Sequence, residues 1–197
     1  MENNKISYTI YKYILGFFFL IYYRPKFVNK EYIKEDGPII ICGNHIHLFD
    51  QCLPILSTKR MIHYMAKREY FDSKLAWFFR SSGCISVDRE NKENAKKALN
   101  TATKLLEKNF AIGIFPEGTR NKTDDLLLPF KYGAVKMAKE TNATIVPFVI
   151  TGKYKFWNNN LKITFLKPFK VNNMSLELAN EKLRNMMLNE LKNSRNI

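Results

Sequence analysis

The sequence predicts an α/β fold: a largely parallel central sheet flanked by helices, with an N-terminal membrane-associating helix. Three observations carry this. Short unbroken apolar runs, such as PIIIC over 38–42 and TIVPFVI over 144–150, have the form of strands covered on both faces. They alternate with segments of helical periodicity, which is the order of an α/β sandwich. No internal repeat or low-complexity linker interrupts the 197 residues. An apolar segment over 1–30 is therefore expected to precede one domain over 31–197.

The first element is the N-terminal helix. Residues 13–23, YILGFFFLIYY, carry no charge, but eleven helical residues reach only about 16 Å, and a bilayer core needs about 30 Å. Extension back to Ile6 gives about 27 Å and admits Ser7, Thr9 and Lys12. A helix lying in the membrane interface fits better. Tyr8, Tyr11, Tyr13, Tyr22 and Tyr23 bracket a Phe-rich centre, and Lys5, Lys12, Arg24 and Lys26 can meet anionic headgroups. The run ends in Tyr-Tyr-Arg-Pro, which is no signal-peptidase site. A buried core helix is the rival reading, and the four large apolar residues 17–20 leave it little polar face. The expected location is the cytoplasmic face of the cell membrane, held monotopically or by this single anchor.

Strands are expected next at 38–42, 62–66, 84–87, 110–115, 144–150 and 162–166. Between them, residues 92–108 place Ala95, Ala98, Ala102 and Leu106 on one helical face, and Asn109 suits the left-handed turn that ends it. Residues 130–140 place Ala134, Met137 and Ala138 similarly, stopping at Thr141-Asn142. A last helix from about 175 carries Leu176, Ala179, Leu183, Met187 and Leu191 at helical spacing.

Lys and Arg number 32 against 18 Asp and Glu, a net charge of +14. That balance calls for an anionic partner: a membrane surface, a nucleic acid, a phosphorylated metabolite or an acidic carrier protein. Codon bias toward Lys, Asn and Ile is the rival explanation for it. With 46% hydrophobic residues the chain is not disordered. Cys42, Cys52 and Cys84 are odd in number and lack CxxC spacing, which excludes a disulfide framework and a zinc knuckle and points to a reducing compartment. No basic recognition helix or aromatic RNA-binding signature is present, so nucleic acid is the least supported partner.

Sites in parallel sheets sit in the loops at strand ends. The loop after 38–42 reads Gly43-Asn44-His45-Ile46-His47-Leu48-Phe49-Asp50. A carboxylate can fix an imidazole's tautomer while the other ring nitrogen takes a proton. In a regular helix His47 lies about 60° around from Asp50 and His45 about 140°, so regular geometry favours His47. His45 pairs with Asp50 only through an irregular turn. His45, His47 and Asp50 also offer three metal ligands, but the remaining histidine, His63, has no ligand spacing around it, and no metal is assigned. After 110–115 comes Pro116-Glu117-Gly118-Thr119-Arg120, with a glycine for close approach, a hydroxyl and an arginine suited to phosphate. Val87-Asp88-Arg89 ends a third strand.

The segments GNHIHLFDQ, GCISVDR, IFPEGTRN and IVPFVITG occur in the order and approximate spacing of the four motifs of the glycerol-phosphate acyltransferases. The chain resembles most closely the bacterial 1-acylglycerol-3-phosphate acyltransferases, over roughly residues 35–170. His47 stands where the first motif commonly has Ser, and Ser86 where the second commonly has Pro. The resemblance implies acyl transfer from a thioester to lysophosphatidic acid, giving phosphatidic acid. His45 would be the general base and Asp50 its orienting partner, which makes the irregular turn over 45–50 an expectation. Arg89, Glu117 and Arg120 would hold the glycerol phosphate, with Gly118 and Thr119 shaping the pocket and Lys67 as a further phosphate contact. Val146 and Pro147 would shape the acyl site. No cofactor is implied beyond the co-substrate, an acyl-carrier-protein or CoA thioester. Other lysophospholipid or amine acceptors, a metal-dependent phosphohydrolase and a nucleic-acid module are the alternatives.

Overall fold

The computed structural model describes residues 2–33, 36–88 and 91–195. Among the described residues seven strands form one sheet: β1 (Lys26–Val28), β2 (Ile39–Gly43), β3 (Ile62–Lys67), β4 (Ile85–Val87), β5 (Ala111–Ile114), β6 (Thr144–Thr151) and β7 (Lys162–Phe165). Their order is β1-β7-β6-β2-β5-β3-β4, and every neighbouring pair is parallel except β6 with β7. The predicted α/β class, with its largely parallel sheet, is the observed one.

Among the described residues six α-helices accompany the strands: α1 (Glu2–Tyr23), α2 (Cys52–Ser57), α3 (Ala76–Ser81), α4 (Lys92–Glu107), α5 (Gly133–Thr141) and α6 (Leu176–Arg195). Sequence periodicity marked α4, α5 and α6. Asn91 starts α4, its side chain accepting from the amides of Glu93 and Asn94 at 3.0 and 3.2 Å. Asn109 and Asn142 follow α4 and α5 at φ of 62° and 53°; the sequence suggested the left-handed turn at Asn109 and an end at Thr141-Asn142, and both positions are left-handed.

The pleat sends alternate side chains of β2 to two cores. Ile40 and Cys42 join the core beneath α4, α5 and α6, while Ile39 and Ile41 join the one that receives Leu53 of α2 and Phe19 of α1. Every residue of β2 is buried, which is why this strand reads as an unbroken apolar run. On the second face lies α1, whose segment Lys5–Tyr23 has a mean hydropathy of 1.2 and is long and apolar enough, by length and composition, to cross a membrane.

Candidate active site

At its carboxyl end β2 runs into a turn that follows no regular helix or strand from Asn44 to Asp50, and α2 begins only at Cys52. Asn44 fixes the start. Its side-chain amide donates to the Ile150 carbonyl at 3.0 Å and accepts from the Ile150 amide at 2.7 Å, clamping the loop to β6. Asp50 fixes the end. It is fully buried, and its Oδ2 accepts from His45 Nδ1 at 2.8 Å and from the amides of Ile46 and His47 at 2.6 and 2.8 Å. Its Oδ1 accepts from the Tyr154 hydroxyl at 2.7 Å. Desolvation on this scale is tolerated only when the carboxylate's lone pairs are filled in this way.

The irregular turn explains why the pairing falls to His45 and not to the helically favoured His47. The chain curls about Asp50, so that His47 reaches the carboxylate through its backbone amide while its ring stacks on Tyr154, 4.1 Å between centroids. His47 Nδ1 accepts from the Phe49 amide at 3.3 Å. Burial depresses the His47 pKa; Asp50 opposes this, and the charges of Arg120 and His45 add to the depression. The His45 ring stacks on Phe115 at 4.1 Å. Among the described residues no three His, Cys, Asp or Glu side chains gather as a metal site.

The loop after β5 locks onto this turn from the other side. Glu117 is buried; its Oε1 accepts from the His45 amide at 2.8 Å and its Oε2 from the Leu128 amide at 2.9 Å. Burial pushes the Glu117 carboxyl up, and those two amides pull it partly back. The Asn121 amide donates to the His45 carbonyl at 2.7 Å. Gly118 turns at φ 71°, where a side chain would be strained, and the Lys131 side chain lies 2.8 Å from where its Cβ would stand. Thr119 and Arg120 are exposed at the tip.

His45, Asp50 and Glu117 are thus hydrogen-bonded into one cluster, with Arg120 close enough to act on His47. Lys67 ends β3, and its ammonium pairs with Glu69 at 3.6 Å. Arg89 lies outside the described residues. Val146 and Pro147 are buried within β6. Sequence reasoning quoted Asn44 and Asn121 inside their motifs without giving them a role, and it passed over Tyr154 and Lys131. No local pattern marks Tyr154, because the residue it serves lies 104 positions away.

The fold and the cluster define an α/β protein with a carboxylate-oriented histidine at the end of a parallel strand, facing a glycine turn tipped by arginine. Comparison with known proteins gives the class its name. The acyltransferase family pattern matches residues 24–151, and this chain belongs to that family. It is 34% identical to a Bacillus subtilis 1-acyl-sn-glycerol-3-phosphate acyltransferase, over 73% of this chain and 72% of that one. It is 30% identical to the Saccharomyces cerevisiae protein of the same name, over 95% of this chain but only 64% of that longer one. The crystal structure of a Thermotoga maritima 1-acyl-sn-glycerophosphate acyltransferase shares the fold at a TM-score of 0.74 and 21% identity, covering 87% of this chain and 72% of that one.

Proposed function

We propose that this protein moves a fatty acyl group from a thioester to the free hydroxyl of 1-acylglycerol-3-phosphate, giving phosphatidic acid and a free thiol. The observation that carries the reading is the 2.8 Å contact of His45 Nδ1 with a buried, fully engaged Asp50. With Nδ1 donating to the carboxylate, Nε2 is the proton acceptor. It takes the acceptor's hydroxyl proton as that oxygen attacks the thioester carbonyl carbon. The tetrahedral adduct then collapses, the C–S bond breaks, and the departing sulfur receives the proton from the imidazolium. No covalent acyl-enzyme is needed, since the thioester is already activated.

The names of the Bacillus and Saccharomyces relatives support lysophosphatidate as acceptor. Arg120, exposed beside His47, is assigned to the substrate phosphate together with Arg89 and Lys67, because planar guanidinium pairs bidentately with phosphate. Glu117 is assigned to the same subsite as the group that fixes its backbone. Val146 and Pro147 belong to the apolar wall of the acyl site. The donor is an acyl-carrier-protein or CoA thioester, and α1 holds the protein to the cytoplasmic face of the membrane.

The test is acyl transfer by the purified chain on vesicles containing lysophosphatidate, with each donor in turn. Phosphatidate and free thiol are expected. His45→Ala lowers kcat by about 10² to 10⁴. His47→Ala keeps most activity, because the backbone amide that binds Asp50 remains. Loss of turnover in His47→Ala alone overturns the assignment.

A further inference from the structure

We propose that α1 does not meet the bilayer alone: two tryptophan-bearing segments, residues 73–77 leading into α3 and the loop over 153–157, form with it one interfacial face that lies along an anionic membrane surface beside the His45 loop. This rests on the membrane association just assigned to α1 and adds its orientation and its other members.

The orientation follows from how α1 is held. Tyr8 and Phe19 are buried against the domain. The Lys12 ammonium donates to the Thr58 carbonyl, and the Tyr11 hydroxyl bonds Ser81 Oγ at 3.1 Å. Gly16 presses against Leu56, whose Cδ2 lies 2.5 Å from where a Cβ would stand. These contacts run from Tyr8 to Phe19, so over that length one side of α1 faces protein. A helix surrounded by lipid would have to break them, whereas one lying in the plane of the interface keeps them and still presents its outer side.

That outer side continues beyond the helix. Trp77 is 61% exposed and packs edge-on against Tyr11 at 6.1 Å. Trp157 is 62% exposed, its amide donates to the Tyr22 carbonyl at 3.0 Å, and the Arg24 guanidinium sits 4.7 Å above its ring. Phe156 packs against Tyr22 and Tyr23. Phe49, in the His45 loop, reaches Tyr23 at 6.4 Å and His47 at 5.3 Å. Among the described residues, Tyr132 and Leu178 are the only exposed large apolar side chains outside α1, residues 73–77, the loop over 153–157 and the His45 loop. A concentration of apolar surface this strong marks a docking face.

The surrounding charge selects the occupant. Lys74, Lys153 and Lys155 are exposed beside the two tryptophans. A second copy of a chain with net charge +14 would bring like charges together at this rim. Anionic headgroups complement it, and Trp and Tyr at the border of an apolar patch are the residues that settle at the headgroup level. Because Phe49 belongs to this face, an acceptor lipid can pass from the bilayer to His45 without crossing bulk water.

The chain has two tryptophans, both on this face, so intrinsic fluorescence reads the proposal directly. Trp77→Phe leaves Trp157 as reporter, and Trp157→Phe leaves Trp77. Each variant is mixed with phosphatidylcholine vesicles, with and without phosphatidylglycerol, carrying bromine at shallow or deep acyl positions. Both reporters are expected to be quenched by anionic vesicles, and from similar shallow depths. Flotation with the vesicles while either tryptophan stays unquenched overturns the shared face. Depths differing by about 16 Å, the rise of eleven helical residues from Tyr11 to Tyr22, overturn the in-plane orientation. Failure to float overturns instead the underlying assignment of α1 to the membrane. Lys153→Ala with Lys155→Ala is expected to weaken binding to the anionic vesicles by roughly tenfold or more, and an unchanged affinity overturns the choice of an anionic surface.

Discussion

Two loops meet at His45, and they are built in opposite ways. From Asn44 to Asp50 the polar groups are spent internally: Asn44 on Ile150, the amides of Ile46 and His47 on Asp50, and the amide and carbonyl of His45 on Glu117 and Asn121. From Pro116 to Arg120 the base is tied, with the Pro116 carbonyl accepting from the Lys131 amide at 2.8 Å, but the tip leaves Thr119 and Arg120 in solvent. Under the proposed function the difference separates two tasks. A proton relay needs one ring held in one place, so its surroundings are over-determined. A ligand subsite needs charge that can close on an incoming anion, so its side chains are left exposed.

Substitutions are expected to break along that line. Asp50→Ala strands several buried donors at once and should cost about 3 kcal/mol or more of stability together with activity, seen in urea denaturation and turnover. Activity lost at unchanged stability would show that the turn does not depend on the carboxylate. Arg120→Ala should leave the denaturation midpoint in place and raise KM for lysophosphatidate roughly 10- to 100-fold, the loss of one charged hydrogen-bonding group. KM for an acceptor lacking phosphate should not move. Tyr154→Phe removes one of the four donors to Asp50 and should slow kcat about fivefold, close to 1 kcal/mol, with KM unchanged.

The smallest effect expected is one of pH. Burial lowers the pKa of both His47 and His63 in the folded chain. Between those lowered values and the unfolded value of about 6.5, the unfolded chain binds more protons, so stability falls as pH drops below about 6.5. Melting temperatures measured from pH 7.5 down to 5 should show the decline, and His63→Gln should flatten it.

The sequence made the centre of this molecule legible and left its margins blank, for physical reasons. Strands β2, β5 and β6 are buried on both faces, so burial alone writes an apolar run. Helices α4 and α6 are long enough for a 3.6-residue period to show, whereas α2 and α3 have six residues each, too few to establish one. Strand β1 has three residues and draws its identity from its partner β7. That β7 runs antiparallel to β6 follows from the short connection over 152–161, which has no room for a crossover helix. In the site, residue spacing favoured His47 because it assumes a regular backbone, and the choice of His45 came from the motif. The supports of the turn, Asn44 on Ile150 and Tyr154 on Asp50, join positions 106 and 104 residues apart and leave no short-range trace.

The edge of the sheet has a consequence for the order of events during synthesis. Asn29, just past β1, donates to the carbonyl of Phe165 in β7 across 136 residues of chain, and among the described residues β1 pairs with no strand but β7. On the ribosome β1 therefore waits for most of the domain to be made before its ladder can close, and contacts so remote are slow to form. Throughout that interval only the far end of α1 waits, because Tyr22 accepts from the amide of Trp157, whereas the partners of Tyr11, Lys12 and Gly16 lie at Ser81, Thr58 and Leu56. The final closure of the sheet, rather than the emergence of α1, is therefore the step that completes the seat of this helix on its domain.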